Sequence, residues 1–268
     1  MIDRASGKLG ILAGGGTLPR AVADAAAASG RKVHILAFEG FCEPATVAGY
    51  AHDWIGLAKV GHLFAALRAA ACVEIVLAGP VRRPGLAQIR PDWTGVSTLL
   101  RLLSVWGGDA SLLSRVLALL EAQGFRAVGA HEILPDLLVA ARTYGRHSPD
   151  AAARADIEAG LVAARTLGQR QRGQAVLVRR GTVIGEETRG GTSALLRQPG
   201  IEGAVLVKAA MPGQDRRVDL PTAGLATVEA AAAAGLVGIA LEAGNALLLD
   251  RDAAVAAADR HGLFMVGA

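Results

Sequence analysis

Between Lys208 and Thr222 the chain sets a lysine, two carboxylates (Asp215 and Asp219), two arginines (Arg216 and Arg217) and the amide Gln214 into an otherwise apolar region. Asp219 stands between Val218 and Leu220, and Pro221 restricts the backbone ahead of it. A carboxylate held rigidly among apolar neighbours suits a general base or a ligand for a hard cation better than it suits a solvated surface. The same stretch could instead open a helix, with Asp219 or Thr222 capping backbone and the arginines solvated. For Asp215, Arg216 and Arg217 both readings stand. For Asp219 the functional reading is preferred.

A second chemical feature is Ala13-Gly14-Gly15-Gly16-Thr17-Leu18-Pro19, where an apolar strand meets an Ala-rich helix. Glycines let backbone approach an anion, and a helix N-terminus offers free N–H groups and a positive dipole end. Thr17 is the expected N-cap, and Pro19 is tolerated in the first turn. A βα turn also needs glycine for purely structural reasons. As a dinucleotide fingerprint the stretch is poor, with the third glycine missing and Glu39 a loose candidate for the ribose-binding acid. The lysine of an ATPase loop is absent.

Other reactive side chains lack partners in the sequence. His34 lies in an expected strand and His261 near a helix end, both read as structural. His131-Glu132 has no HExxH spacing or cysteine pair beside it, so zinc is not expected. No G-x-S-x-G elbow occurs, and Ser111 and Ser114 have no nameable base.

The elements that must position these groups fall into two textures. In the first half, short apolar strands at 9–13, 33–38, 73–78 and 125–128 alternate with helical patterns at 17–29, 61–71, 96–105 and 109–123, which implies a parallel sheet. Residues 129–149, with Pro135, Gly145 and Pro149, lack periodicity apart from a short helix expected at 136–142. A long helix follows at 150–167. Then come a hairpin, 174–178 and 183–187 turning at Arg180-Gly181, strands at 205–208, 237–241 and 246–249 completing a second sheet, and helices near 227–234 and 252–261. The expected organisation is a Rossmann-like domain over 1–130, a hinge over 131–149 and a mixed α/β catalytic domain over 150–268, with a ligand cleft between the domains.

Composition narrows the function. Of 268 residues 52% are hydrophobic but only 4% aromatic, so the core is built from Ala, Val, Leu and Ile. The 28 basic and 24 acidic residues leave a net charge of +4, spread among loops. Nucleic-acid binding would want a concentrated basic face with stacking aromatics, and neither is present. Cys42 and Cys72 make no disulfide framework, and nothing resembles a secretion signal. The longest apolar run, 230–241, is too short to span a bilayer. A reducing cytoplasm is expected, with peripheral membrane contact left open.

Taken in order, these motifs resemble the UDP-2,3-diacylglucosamine pyrophosphatases of lipid A synthesis, in the isozyme family unrelated to metallophosphoesterases. The resemblance runs through the glycine turn, Gly79-x-Val81-x-Arg83-Pro84, Gly108-Asp109 with Leu112-Leu113, and Gly129-Ala130-His131-Glu132. It continues through Gly173-Gln174, Gly191-Thr192 and Val218-Asp219-Leu220-Pro221-Thr222 followed by Gly224. It implies hydrolysis of a lipid-linked UDP-sugar diphosphate to UMP and the monophosphate lipid X, with Mg²⁺ as cofactor and Asp219 as the catalytic and metal-holding aspartate. Substrate contacts are then expected from Gly14, Gly15, Gly16, Thr17, Gly79, Arg83, Gln174, Gly191, Thr192, Lys208, Gln214 and Asp215. A homodimer touching the inner membrane surface is the expected assembly.

The chain departs from the family pattern at Ala110, Gln171, Arg172, Ser193 and Met211, and the first, second and fourth of these replace acids. The competing expectations are a nucleotide-sugar or lipid-binding paralogue with impaired catalysis, an NAD-dependent oxidoreductase using the glycine turn and Glu39, and a membrane-surface scaffold.

Overall fold

Pro135, flanked by residues without sustained periodicity, marks where the fold divides. The computed structural model describes residues 7–57, 59–81 and 112–268, and the chain separates into two units, Met1–Pro135 and Asp136–Ala268. The division falls inside the segment expected as a hinge, and residues after it are built into the second unit. The expected helix at 96–105, together with Arg83, Asp109, Ala110 and Ser111, lies outside the described residues.

In the first unit, apolar runs form β1 (Lys8–Ala13), β2 (Val33–Phe38), β3 (His52–Ile55), β4 (Cys72–Ala78) and β5 (Arg126–Ala127). They pair in parallel in the order β3-β2-β1-β4-β5. Leu9, Ile11, Ile35, Leu36 and Ile75 have no more than marginal exposure, each worth roughly 1.5–3 kcal/mol of burial. Helix Leu18–Ala28 buries Pro19, Val22, Ala23 and Ala26, the three-to-four spacing of an amphipathic helix. β3 was not expected, because His52 and Asp53 interrupt its apolar pattern. Sheet pairing overrides that pattern: Asp53 meets His34 Nε2 of β2 at 2.8 Å, which gives His34 a structural partner. The strand order reverses direction between β1 and β4, the switch point where ligands of such sheets bind at the carboxyl ends of strands.

The second unit is built on β6 (Thr143–Tyr144), β7 (Ala175–Arg179), β8 (Thr182–Glu186), β9 (Val205–Lys208), β11 (Gly238–Leu241) and β13 (Phe264–Gly267), ordered β6-β13-β11-β9-β7-β8. The strand period of two distributes side chains to opposite faces. Ala175, Leu177, Leu206, Ile239, Leu241 and Met265 join one core with helices Leu225–Ala233 and Arg251–His261. Val176, Val178, Val205, Val207, Ala240 and Phe264 join another with helix Ala151–Gln169. Asp150 caps that helix through Ala153 N–H at 2.8 Å. Gly160 lets the helix lie against the sheet, since a β-carbon there would come within 2.5 Å of Val207 Cγ2.

The hairpin turn forms at Arg180-Gly181, with φ of +54° and +73°, as a two-residue turn between twisted strands requires. Buried Asp156 on the long helix accepts both turn N–H groups, at 3.1 and 2.5 Å.

Two expectations for this unit are corrected, and three strands are added. Residues 136–142 do not form a helix; a 3-10 turn, Pro135–Leu137, gives way to extended chain. Val139 commits its N–H to Ala246 O and its carbonyl to Gly244 N–H, so a helical ladder has no groups left there. The run at 246–249 does not complete the large sheet. Its core, β12 (Leu247–Leu248), pairs instead with β10 (Thr222–Ala223) in a separate two-stranded sheet. The strands at 143–144, 222–223 and 264–267 were not expected, the first two being too short to show a period.

Candidate functional site

At the switch point of the first unit, the glycine turn meets the carboxyl end of β4. Gly14 N–H donates to Ala78 O at 2.8 Å and Gly15 N–H to Pro80 O at 3.0 Å. Two amides expected to cradle phosphate are therefore already bonded to backbone. A β-carbon on Gly14 would lie 2.6 Å from Pro80 O and 2.7 Å from Gly79 O, so close backbone approach explains the glycines at 14 and 79. What remains for an anion is Gly16 N–H and the first-turn N–H groups of helix Leu18–Ala28. Thr17 occupies the N-cap position, but its hydroxyl makes no cap bond. Glu39, just past β2, is exposed.

In the second unit the expected residues gather at the carboxyl end of β9. Lys208 is only 4% exposed, and its Nζ donates to Thr222 O at 2.8 Å. Its ammonium thus faces protein backbone. Burial pushes its ammonium below the ordinary lysine range, while the nearby Glu187 carboxylate pulls it back up. Gln174 leads into β7 beside Lys208, its carbonyl accepting Ala209 N–H at 3.0 Å. Thr192, on the helical turn Gly191–Leu195, donates its hydroxyl to Glu187 at 2.7 Å.

The loop after β9 is seated by several bonds. Ala210 N–H donates to Glu242 at 2.9 Å, and Gln214 Oε1 accepts Met211 N–H at 2.9 Å. Gly168 lets the end of the long helix pack on Met211, where a β-carbon would meet its Cα at 3.0 Å. Asp215 is claimed by Arg217, whose Nε and terminal nitrogen reach its two oxygens at 2.9 and 2.6 Å. That guanidinium holds the Asp215 carboxyl below the usual carboxylate range. Arg216 donates to Gly244 O at 2.7 Å. Neither arginine is simply solvated: Arg217 is spent on Asp215 and Arg216 on a backbone carbonyl.

Asp219 differs. Its N–H closes a turn on Asp215 O at 3.0 Å, and Pro221 O, just beyond, accepts Leu247 N–H at 2.8 Å. The backbone is therefore fixed on both sides of a half-buried carboxylate that forms no hydrogen bond or ion pair among the described residues. Gln174 Oε1 and Gln214 Nε2 are among the polar atoms of the unit buried without partners. Buried polar atoms normally find partners, so both are available to a ligand.

Among the described residues no three His, Cys, Asp or Glu side chains cluster as a metal cage. Mg²⁺ does not need one: it keeps several waters and takes one or two carboxylates plus substrate phosphates. A single open carboxylate at 219 fits that pattern, whereas Asp215, bound by Arg217, does not.

Sequence reasoning overlooked Glu187 and Glu242, both buried. Glu187 accepts Gln174 N–H at 2.8 Å as well as the Thr192 hydroxyl. Glu242 accepts two Arg165 nitrogens at 2.9 and 2.6 Å. Each directly follows or ends an expected strand, a position where a lone acid reads as solvated; no local signal distinguishes Glu187 from exposed Glu186 beside it.

Both units match known families. A model described as the LpxI N-terminal domain matches residues 8–137, and one described as the LpxI C-terminal domain matches residues 140–266. The chain is also 40% identical over 272 residues to the UDP-2,3-diacylglucosamine pyrophosphatase LpxI of Caulobacter vibrioides, covering 97% of each chain.

Proposed function

We propose, for a chain that belongs to the LpxI family, that it hydrolyses the diphosphate of UDP-2,3-diacylglucosamine to UMP and 2,3-diacylglucosamine 1-phosphate in lipid A biosynthesis. The observation that carries the chemistry is the Asp219 carboxylate, without a partner among the described residues, on a backbone fixed at both ends. Rigid placement of a reacting group removes reorganisation from the barrier. In this reading Asp219 orients the attacking water and accepts hydrogen bonding from it at a carboxylate oxygen. Water adds to one phosphorus as its proton passes to the Asp219 carboxylate, the bridging P–O bond breaks, and the bridging oxygen leaves with the other phosphate.

Gln174 Oε1 and Gln214 Nε2 supply an acceptor and a donor for the substrate. Gly16 and the first turn of helix Leu18–Ala28 supply N–H groups suited to phosphate charge. Mg²⁺, when bound, would be held by Asp219 and would neutralise charge on the diphosphate oxygens. In this reading the acyl chains of the substrate call for contact with the inner membrane surface, and a cytoplasmic homodimer is the assembly proposed. Among the described residues no helix is long and apolar enough to cross a membrane.

Incubation with UDP-2,3-diacylglucosamine, with and without Mg²⁺, tests the reading through release of UMP and lipid X. Release that stops on chelation and resumes with Mg²⁺ is expected. The replacement of family acids at Ala110, Gln171 and Ser193 favours one second reading, a paralogue that binds the nucleotide sugar without cleaving it. Saturable binding with no UMP would establish that alternative.

A further inference from the structure

Gly173-Gln174, Gly191-Thr192 and Asp219-Leu220-Pro221-Thr222 are far apart in the chain, yet two buried charged side chains, Glu187 and Lys208, bond to all three. Glu187 is 8% exposed and Lys208 4%. Glu187 Oε2 accepts the Gln174 N–H at 2.8 Å, and Oε1 accepts the Thr192 hydroxyl at 2.7 Å. Gly173 is pressed against the same side chain: a β-carbon there would lie 2.9 Å from Glu187 Cβ. Lys208 Nζ donates to Thr222 O at 2.8 Å, at the end of the segment that carries Asp219.

Sheet register explains why the two charges are neighbours. Ala175 of β7 pairs with Lys208 of β9, and its carbonyl accepts Glu187 N–H at 2.9 Å on the other side. Thr222 O is the one protein acceptor that the Lys208 ammonium reaches among the described residues. A buried ammonium with so little solvation is favoured by a carboxylate close by, and the Glu187 charge acts on Lys208 in that sense without a direct ion pair.

We propose that Glu187, which none of the mechanism above uses, is a positioning residue: its charge retains the Lys208 ammonium under Thr222 and so fixes the segment bearing Asp219. The proposal rests on Asp219 as the catalytic carboxylate. Glu187→Gln is nearly isosteric: its Oε1 can accept the Gln174 N–H while its Nε2 donates to the Thr192 hydroxyl oxygen, so it removes chiefly the charge.

Amide hydrogen exchange of the full-length protein reads the positioning without any turnover. In Glu187→Gln, exchange across residues 209–222 is expected to speed up at least about tenfold, with the 151–169 helix unchanged. In turnover, kcat is expected to fall about tenfold or more, with KM within about twofold, since the reacting group is displaced while substrate contacts remain. The double variant Glu187→Gln/Lys208→Met removes both charges together, and its loss is expected to be smaller than the product of the single losses.

Unchanged exchange in 209–222, or losses that multiply in the double variant, would overturn the proposal. Should Glu187→Gln fail to fold, Lys208→Met gives the same exchange test, with the same acceleration expected and no acceleration overturning it. If the wild-type protein releases no UMP, the hydrolase reading fails, and the exchange result still decides the role of Glu187.

Discussion

Gly79 lies so close to the glycine turn that a β-carbon on it would stand 2.2 Å from the Gly15 carbonyl oxygen. The turn after β1 and the end of β4 therefore need glycine because of each other, before any ligand is considered. Gly79 also has φ of +82°, as Gly30 has +81°, but Gly30 has open space around it. Gly79→Ala is thus expected to cost about 3 kcal/mol or more, conformational strain plus a backbone clash. Gly30→Ala is expected to cost only about 1 kcal/mol. Urea unfolding of both variants checks the contrast; equal costs would refute the close-approach account.

Asp219→Asn removes charge from a carboxylate that has no partner among the described residues. Its thermal midpoint is expected to match wild type within about 2 °C, since no native contact is lost. Substrate binding is expected to persist, while UMP release slows at least about a hundredfold, the order typical of losing an acid–base group. Turnover at the wild-type rate would remove Asp219 from the mechanism.

Asp215 offers the opposite case, a carboxylate serving structure. Its folded pKa is lowered by the Arg217 guanidinium from an ordinary 3.8. The resulting stabilisation is fully present above pH 3.8 and fades as pH falls through the folded value. Asp215→Asn is expected to lose about 1 kcal/mol at pH 7, the pair being partly exposed. The gap to wild type should close on acidification, because wild type then becomes protonated too. Urea titrations at neutral and acid pH measure this; a gap that stays constant would count against the pair.

The two cysteines are both buried. Burial pushes Cys72 up to about 11 and Cys42 upward as well. Only the thiolate attacks a disulfide reagent. At pH 8 the native protein is expected to react with Ellman's reagent at least about a hundredfold more slowly than the unfolded chain. Fast release of even one equivalent from native protein would contradict the burial of these thiols.

Local pattern and local backbone chemistry were enough for several features. The apolar runs at 9–13, 33–38 and 205–208 announce strands, because a doubly covered strand must be apolar on both faces. Arg180-Gly181 announces its turn, and the Ala-rich stretch after Thr17 its helix. Asp219 could be singled out because Val218, Leu220 and Pro221 are its immediate neighbours. Each of these signals lies within a few residues of the feature it specifies.

Tertiary structure decided the rest, because its determinants are separated along the chain or masked by identical local context. Gly14 and Gly79 explain one another only once β1 and β4 are adjacent in the sheet. Lys208, a plausible phosphate ligand by its place at a strand end, is turned inward because the segment ending at Thr222 crosses over it. Glu187 and Glu186 look alike in sequence, but the strand period buries one and exposes the other. Which carboxylate is bound and which stays open was likewise a matter of partners: Arg217 reaches Asp215, and no cation among the described residues reaches Asp219.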